Sequence, residues 1–189
     1  RVSSINIGAC LYEVYDKQKK INLILNLGSK KNYSNKNFYV GATCGRYAWR
    51  ISNSRFKIKK NIYKLDGNEG RNTLHGGKIG FDRLKWKIKH HSKNKILYQL
   101  LSKNLDQGFP GDLNSECIFE IRNKSLFIKY QYKSSELTHV SLTNHSYWNL
   151  NKNKKDAIFN HDLKINSEKY LEVTNKFCLL YTSPSPRDP

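Results

Sequence analysis

The strongest indication of the fold lies in residues 117–132, which read Cys117-Ile118-Phe119-Glu120-Ile121-Arg122-Asn123-Lys124-Ser125-Leu126-Phe127-Ile128-Lys129-Tyr130-Gln131-Tyr132. Apolar and polar residues alternate over 126–132, and a period of two is typical of a β-strand with one buried face. The polar residues 122–124 separate this run from the apolar run before it, as in the turn of a hairpin. The stretch therefore predicts two neighbouring antiparallel strands.

The same kind of pattern recurs along most of the chain. β-rich runs cover 5–15, 21–27, 56–58, 62–65, 84–90 and 96–101, with short polar turns between several of them, and alternation returns over 158–165. No amphipathic helix of three turns and no repeat of fixed period is visible. Many short strands at close spacing predict an all-β domain of antiparallel strands, either a sandwich or a barrel.

The charge of the chain is strongly positive. The sequence has 34 Lys+Arg against 15 Asp+Glu in 189 residues, a net charge of +19. Such a charge is common in proteins that bind nucleic acids or anionic surfaces. Here the lysines are spread along the chain and alternate with apolar residues, as in 84–89, which is typical of the solvated face of strands. Lys, Asn and Ile also share A/T-rich codons. We therefore expect no nucleic-acid partner. An electrostatic nucleic-acid binder remains the weakest functional hypothesis, after the two that are introduced below.

Cysteine spacing and hydropathy exclude other classes. No two cysteines have the short spacing of a zinc site or a redox dithiol, and no His/Cys/carboxylate set has metal-ligand spacing. No apolar run approaches the roughly 20 residues of a membrane span. We expect buried free thiols in a reducing compartment, the cytoplasm, with no metal and no membrane partner. The cysteines are Cys10, Cys44, Cys117 and Cys178.

Three polar segments are candidates for a functional site, namely 41–51, 72–77 and 142–150. His75 lies beside two glycines, which let the backbone come close to a ligand. His145 lies among Asn, Ser and Tyr side chains suited to binding hydroxyl groups. Either histidine alone is more often a structural imidazole, so the indication of chemistry depends on the segments together.

Together with 108–113, these segments resemble the aldose 1-epimerase (galactose mutarotase) family. The motifs occur in family order and read Gly-Ala-Thr-Cys-Gly-Arg-Tyr-Ala-Trp-Arg-Ile at 41–51, Asn-Thr-Leu-His-Gly-Gly at 72–77 followed by Gly80-Phe81-Asp82 and Trp86, Gly-Phe-Pro-Gly-Asp-Leu at 108–113, and Thr-Asn-His-Ser-Tyr-Trp-Asn-Leu at 143–150. The resemblance implies a large antiparallel β-sandwich, incomplete in this chain. It also implies an isomerase without a cofactor, with aldohexoses such as galactose and glucose as substrates.

The resemblance implies a role for each matching residue. His145 would be the general acid that protonates the ring oxygen, and His75 the second active-site histidine, which holds a substrate oxygen. Arg50 would bind the sugar, with Tyr147 in the same pocket. Interconverting anomers requires a base to take the C1 hydroxyl proton while an acid protonates O5. The ring then opens and recloses on the other face. Imidazole titrates near neutrality and suits such two-way proton transfer.

The sequence departs from the family in two ways. Trp49 stands where the family pattern usually has Asn, and its indole could stack on a pyranose face or block a subsite. The family's glutamate base and a sugar-binding aspartate lie well beyond the third motif, and Glu168 and Glu172 do not match the base. We therefore expect the base to be absent from this chain and the chain alone to be poorly folded with little activity. A non-catalytic carbohydrate-binding protein on the same fold is the alternative.

The ends of the sequence are also unusual. It contains no Met, and three of its four prolines lie in the last six residues. Residues 178–189 resemble a translated sequencing-adapter read-through. We therefore expect residues 1–177 to be the N-terminal and central part of an aldose 1-epimerase domain, with 178–189 a non-native tail.

Overall fold

The computed structural model describes residues 1–33 and 39–167, and this part of the chain is built from antiparallel β-strands with three short 3-10 helices and no α-helix. The predicted all-β, antiparallel class is confirmed. The strands are β1 Val2–Ile5, β2 Cys10–Asp16, β3 Ile21–Asn22, β4 Thr43–Cys44, β5 Arg50–Ile51, β6 Arg55–Ile58, β7 Asn61–Lys64, β8 Thr73–Leu74, β9 Lys87–His91, β10 Lys95–Ser102, β11 Leu113–Arg122, β12 Ser125–Ser134 and β13 Thr143–Asn144. The 3-10 helices are Lys30–Tyr33, Ser52–Ser54 and Asp106–Gly108.

The largest sheet has the strand order β12-β11-β10-β9. The hairpin predicted from 117–132 forms its β11–β12 edge, with Arg122 opposite Ser125. The two turn residues, Asn123 and Lys124, have φ of 48° and 64°. Positive φ at both central residues is the geometry of a type I′ turn, whose twist matches that of the flanking strands. The hairpin extends beyond the predicted runs, to Leu113 opposite Ser134.

Most of the other predicted runs also pair with their neighbours. The runs at 84–90 and 96–101 become β9 and β10, and those at 56–58 and 62–65 become β6 and β7. The run 5–15 is not one strand, because the chain turns at Gly8 and Ala9, with φ of 68° and 37°. That turn folds β1 back on β2 in a three-stranded sheet with β3.

The alternating run at 158–165 is not a strand, so the expectation there is wrong. Phe159 is 96% exposed and Leu163 is 85% exposed. Alternation stabilises a strand only where a neighbouring strand takes its backbone hydrogen bonds and a core takes its apolar side chains. By contacts, residues 1–158 form one compact unit and a second unit begins at Phe159. Glu168, Glu172, Cys178 and the predicted tail 178–189 lie outside the described residues.

The core packs the first sheet and the largest sheet together with the segment that carries Phe81 and Trp86. Trp86 is 1% exposed, and its indole N–H donates to the Phe81 carbonyl at 3.1 Å. Within the described residues, no helix is both long and apolar enough to cross a membrane. The buried cluster is Ala9, Leu11, Ile24, Phe81, Trp86, Tyr98, Leu100, Leu113, Cys117 and Phe119.

Arg46 ties the end of β10 to the 108–113 segment. Its guanidinium is buried and donates to Ser102 Oγ at 2.9 Å and to the carbonyls of Ser102, Lys103 and Pro110 at 2.9, 2.7 and 2.9 Å. Ser102 Oγ in turn donates to the Asp106 carboxylate. A buried charge is tolerated where its donors are satisfied in this way. Arg46, the first of the two arginines in 41–51, is therefore a structural residue.

We predict that Arg46→Met destabilises the protein strongly, because the substitution leaves buried carbonyls without donors. Each such loss costs about 1–3 kcal/mol, so the free energy of unfolding should fall by roughly 3 kcal/mol or more. Urea denaturation followed by circular dichroism measures the change. Arg55→Met, at an exposed position on β6, is the matched control and should change little. Equal urea midpoints for the two variants would contradict the prediction.

Candidate active site

Two short strand pairs bring the three candidate segments together. β4 pairs with β13, with Thr143 opposite Cys44, and this joins 41–51 to 143–150. β5 pairs with β8, with Arg50 opposite Leu74, and this joins 41–51 to 72–77. Segment 41–51 therefore brings His145 from one side and His75 from the other into the same region.

Backbone hydrogen bonds hold His145 against this segment. Its carbonyl accepts from Gly41 N at 2.9 Å, and its N–H donates to the Ala42 carbonyl at 2.8 Å. The neighbouring Asn144 side chain donates to the Gly41 carbonyl at 3.0 Å. The backbone of His145 is thus anchored on both sides, and its imidazole projects from a fixed position.

His75 is held by a tight turn. Its φ is 52° and that of Gly76 is 97°. A Cβ at Gly76 would lie 1.8 Å from the Gly45 carbonyl oxygen, so only glycine fits there. The N–H of His75 donates to the Trp49 carbonyl at 3.1 Å. The Gly-rich loop therefore allows the turn to pack directly on segment 41–51.

Four aromatic side chains form what we term the ring cluster, composed of Tyr39, His75, His145 and Tyr147. The centroids of His75 and His145 are 5.1 Å apart. Tyr39 lies 4.6 Å from His75 and 5.6 Å from His145, and Tyr147 lies 5.0 Å from His145. Three of these residues were candidates from the sequence. Tyr39 was not, although its position two residues before Gly41 was a signal that could have identified it.

The protonation state of His75 follows from its contacts. The Trp49 backbone N–H donates to His75 Nδ1 at 3.2 Å, so the neutral imidazole carries its proton on Nε2. Burial, followed by the nearby His145 and Arg50, lowers the pKa of His75 to about 4, while Glu69 opposes this shift. At neutral pH His75 is therefore an uncharged imidazole with an Nε2–H donor.

Arg50 is oriented by a carboxylate that the sequence did not single out. Its Nε and Nη2 donate to the two carboxylate oxygens of Glu69 at 2.5 and 2.7 Å. Such a two-point pair fixes the plane of the guanidinium. The Arg50 guanidinium carbon also lies 5.9 Å from the Trp49 ring centroid, and the Trp49 side chain is exposed.

Metal ligation has no support in the described part of the chain. Among residues 1–33 and 39–167, no group of three or more His, Cys, Asp or Glu residues is placed to hold a metal ion. The groups that the site presents are two imidazoles, a guanidinium, two phenols and an indole. These groups bind neutral hydroxyl-rich ligands by hydrogen bonds and by contact with aromatic faces.

Sequence comparisons connect the chain to a known family. The family model described as "Aldose 1-epimerase" matches residues 1–183. The chain is 37% identical over 153 residues to an aldose 1-epimerase of Haemophilus influenzae, which covers 79% of this chain and 45% of that protein. It is 35% identical over 176 residues to a galactose mutarotase of Sus scrofa, which covers 92% and 51%. The chain thus spans about half the length of the curated relatives it matches.

Structural comparisons agree. A crystal structure of an aldose epimerase homologue from C. elegans superposes with a TM-score of 0.82 at 26% identity, covering 94% of this chain and 55% of that one. A galactose 1-epimerase from Lactobacillus acidophilus gives 0.71 at 31% identity, covering 79% and 45%. The fold is that of the galactose mutarotase-like β-sandwich.

We predict that His75 stays neutral to unusually low pH. Nuclear magnetic resonance of ¹⁵N-labelled histidine should show a titration midpoint near 4 and ring shifts typical of the Nε2–H tautomer at pH 7, because burial and the Trp49 N–H stabilise that form. A midpoint near the ordinary 6.5, or the Nδ1–H tautomer, would contradict the assignment.

The same shift predicts a pH dependence of stability. The pKa of His75 is lower in the folded than in the unfolded chain, so between about pH 4 and 6.5 the unfolded chain binds more protons. The contribution of neutral His75 is fully present above pH 6.5 and is lost as the pH falls towards 4. Urea midpoints measured at pH 7 and pH 5 should differ less in His75→Gln than in the unsubstituted chain. An identical pH dependence in both proteins would refute this.

Proposed function

The chain belongs to the aldose 1-epimerase family, and from this premise we propose that it serves the interconversion of the α and β anomers of aldohexoses such as galactose and glucose, without a cofactor. The observation that carries the proposal is the His75–His145 pair, with ring centroids 5.1 Å apart in one aromatic cluster. Two imidazoles at this separation can contact a single sugar ring from neighbouring positions.

The two histidines take different roles. His145 is the general acid: it gives a proton to the ring oxygen when the sugar opens and takes it back when the sugar recloses. His75 is neutral with its proton on Nε2, so it donates a hydrogen bond to a substrate oxygen and transfers no proton. Enzymes that run acid–base chemistry near pH 7 commonly assign proton transfer to one group and a fixed hydrogen bond to another.

Arg50, Tyr147 and Trp49 form the rest of the proposed sugar site. Arg50 is aligned by Glu69, and its guanidinium can donate to sugar hydroxyls. Tyr147 lies against His145, and burial raises the pKa of its phenol, which remains a neutral donor. The exposed Trp49 indole beside Arg50 offers a flat apolar face to the C–H groups of a pyranose.

Ring opening also needs a base at the C1 hydroxyl. Glu69 is a carboxylate that contacts the site through Arg50. Both of its oxygens accept hydrogen bonds from Arg50, so we do not assign the base to Glu69. We propose that the base, a glutamate by resemblance to the family, is not among residues 1–177. The 189-residue chain alone should then catalyse the reaction weakly or not at all.

Polarimetry of freshly dissolved α-D-galactose tests the function. We predict clear acceleration by the full-length gene product that contains residues 1–177 and little by the 189-residue chain. In the full-length product, His145→Asn should lower kcat by about 100-fold or more, the usual worth of general acid catalysis. His91→Asn, on the exposed strand β9, is the matched control and should retain activity. Full activity of His145→Asn would remove His145 as the acid.

A non-catalytic sugar-binding protein is the second candidate, and Trp49 is the observation that favours it. Calorimetry with galactose on the full-length product, run beside polarimetry, separates the two. Binding without acceleration supports the binding protein, whereas acceleration supports the isomerase. We also propose a cytoplasmic location, supported by the burial of Cys10, Cys44 and Cys117 as thiols suited to a reducing compartment.

A further inference from the structure

Resting on the proposed function, we propose that Tyr39 is a positioning residue for the histidine pair, and that its ring sets the arrangement of His75 and His145 by packing against both imidazoles. Tyr39 lies just outside the motif at 41–51 and was not among the residues that the sequence analysis selected. Its role follows from its place between two groups that come from segments 70 residues apart in the sequence.

The geometry of the three rings supports this role. Tyr39 meets His75 edge-on, with centroids 4.6 Å apart and planes at 72°, and it lies tilted against His145 at 5.6 Å and 35°. The two imidazoles meet each other edge-on at 5.1 Å and 83°. Every pair is in the range where aromatic rings attract, so each ring restrains the other two. Without the Tyr39 ring, each imidazole would lose one of its two neighbours in this triangle.

The backbone of Tyr39 is part of the same anchor that holds His145. Ala42 N donates to the Tyr39 carbonyl at 3.0 Å, which closes a turn across residues 39–42. Gly41 in this turn has a φ of 69°, and a Cβ there would lie 2.1 Å from the Leu11 carbonyl oxygen. The same two residues, Gly41 and Ala42, exchange backbone hydrogen bonds with His145. The backbone of Tyr39 is thus hydrogen-bonded to the same turn that holds the backbone of His145.

The Tyr39 ring also shields His75 from water. Burial, followed by the Asp82 carboxylate, raises the pKa of the Tyr39 phenol, so no charge is introduced beside the imidazoles. The groups that face His75 are the Trp49 N–H at Nδ1, the charges of Arg50 and Glu69, the His145 ring and the Tyr39 ring. Because burial is the main cause of the low His75 pKa, removing the Tyr39 ring should raise this pKa towards its ordinary value.

Histidine titration by nuclear magnetic resonance in the Tyr39→Ala and Tyr39→Phe variants of the full-length gene product tests the proposal. In Tyr39→Ala the midpoint of His75 should rise by about one pH unit or more as water reaches the imidazole. Tyr39→Phe keeps the ring and should stay within about 0.3 unit of the unsubstituted protein. Tyr147→Ala is the matched control, because Tyr147 packs on His145 rather than on His75, and it should leave the His75 midpoint in place.

Activity of the full-length gene product gives a second readout. Tyr39→Ala should lower kcat by about tenfold or more with a smaller change in KM, since misplaced imidazoles impair the transition state more than sugar binding. Tyr39→Phe should restore kcat to within about twofold. Equal loss in both variants would overturn the proposal, because the hydroxyl and not the ring would then matter.

Two further outcomes are decisive. An unchanged His75 midpoint in a folded Tyr39→Ala protein would overturn the proposal. If that variant does not fold, Tyr39→Leu, which keeps bulk without a ring, takes its place under the same criterion. If the expected His75 shifts are found but the full-length product does not accelerate mutarotation, the proposed function fails while the positioning role of Tyr39 stands.

Discussion

The site depends on one constraint: segment 41–51 forms backbone ladders with two different partners. β4 pairs with β13 and β5 pairs with β8, and these pairings carry His145 and His75 into contact. Each ladder is only two residues long, so neither would persist alone. Their persistence depends on the packing between them, where the Gly45 carbonyl accepts a hydrogen bond from Phe81 N and Gly76, which has no Cβ, packs closely against the same carbonyl. Core packing and site geometry are therefore coupled through one short stretch of chain.

Two residues with positive φ lie where segment 72–77 meets segment 41–51. Trp49 has a φ of 119° and His75 a φ of 52°, conformations that cost on the order of 1–3 kcal/mol each in residues other than glycine. Two hydrogen bonds hold this arrangement, from Trp49 N to His75 Nδ1 and from His75 N to the Trp49 carbonyl. The backbone of Trp49 thus sets the tautomer of His75. The Trp49 side chain takes no part in these two hydrogen bonds.

The strands could be predicted where a partner lies close in sequence. Residues 117–132, 56–65 and 84–101 form the hairpins that alternation and polar turns indicate, because local turns supply their partners. The strand predicted from alternation at 158–165 does not form, because alternation alone provides no neighbouring strand to pair with. The two-residue strands that build the site were not predictable, since each is defined by a partner distant in sequence and not by its own pattern.

The sequence by itself determined the all-β class and the family, and it selected His75 and His145 as candidate site residues. Motif residues and period-two alternation are properties of the chain read in order. The resemblance named Arg50 and not Arg46 as the sugar-binding arginine, but the sequence did not show what either side chain contacts. Only the tertiary structure buries Arg46 among the carbonyls of β10 and the 108–113 segment, and only it aligns Arg50 with Glu69. The tautomer of His75 and the contacts of Tyr39 were likewise decided by folding, because hydrogen bonds and desolvation arise only when distant segments pack together.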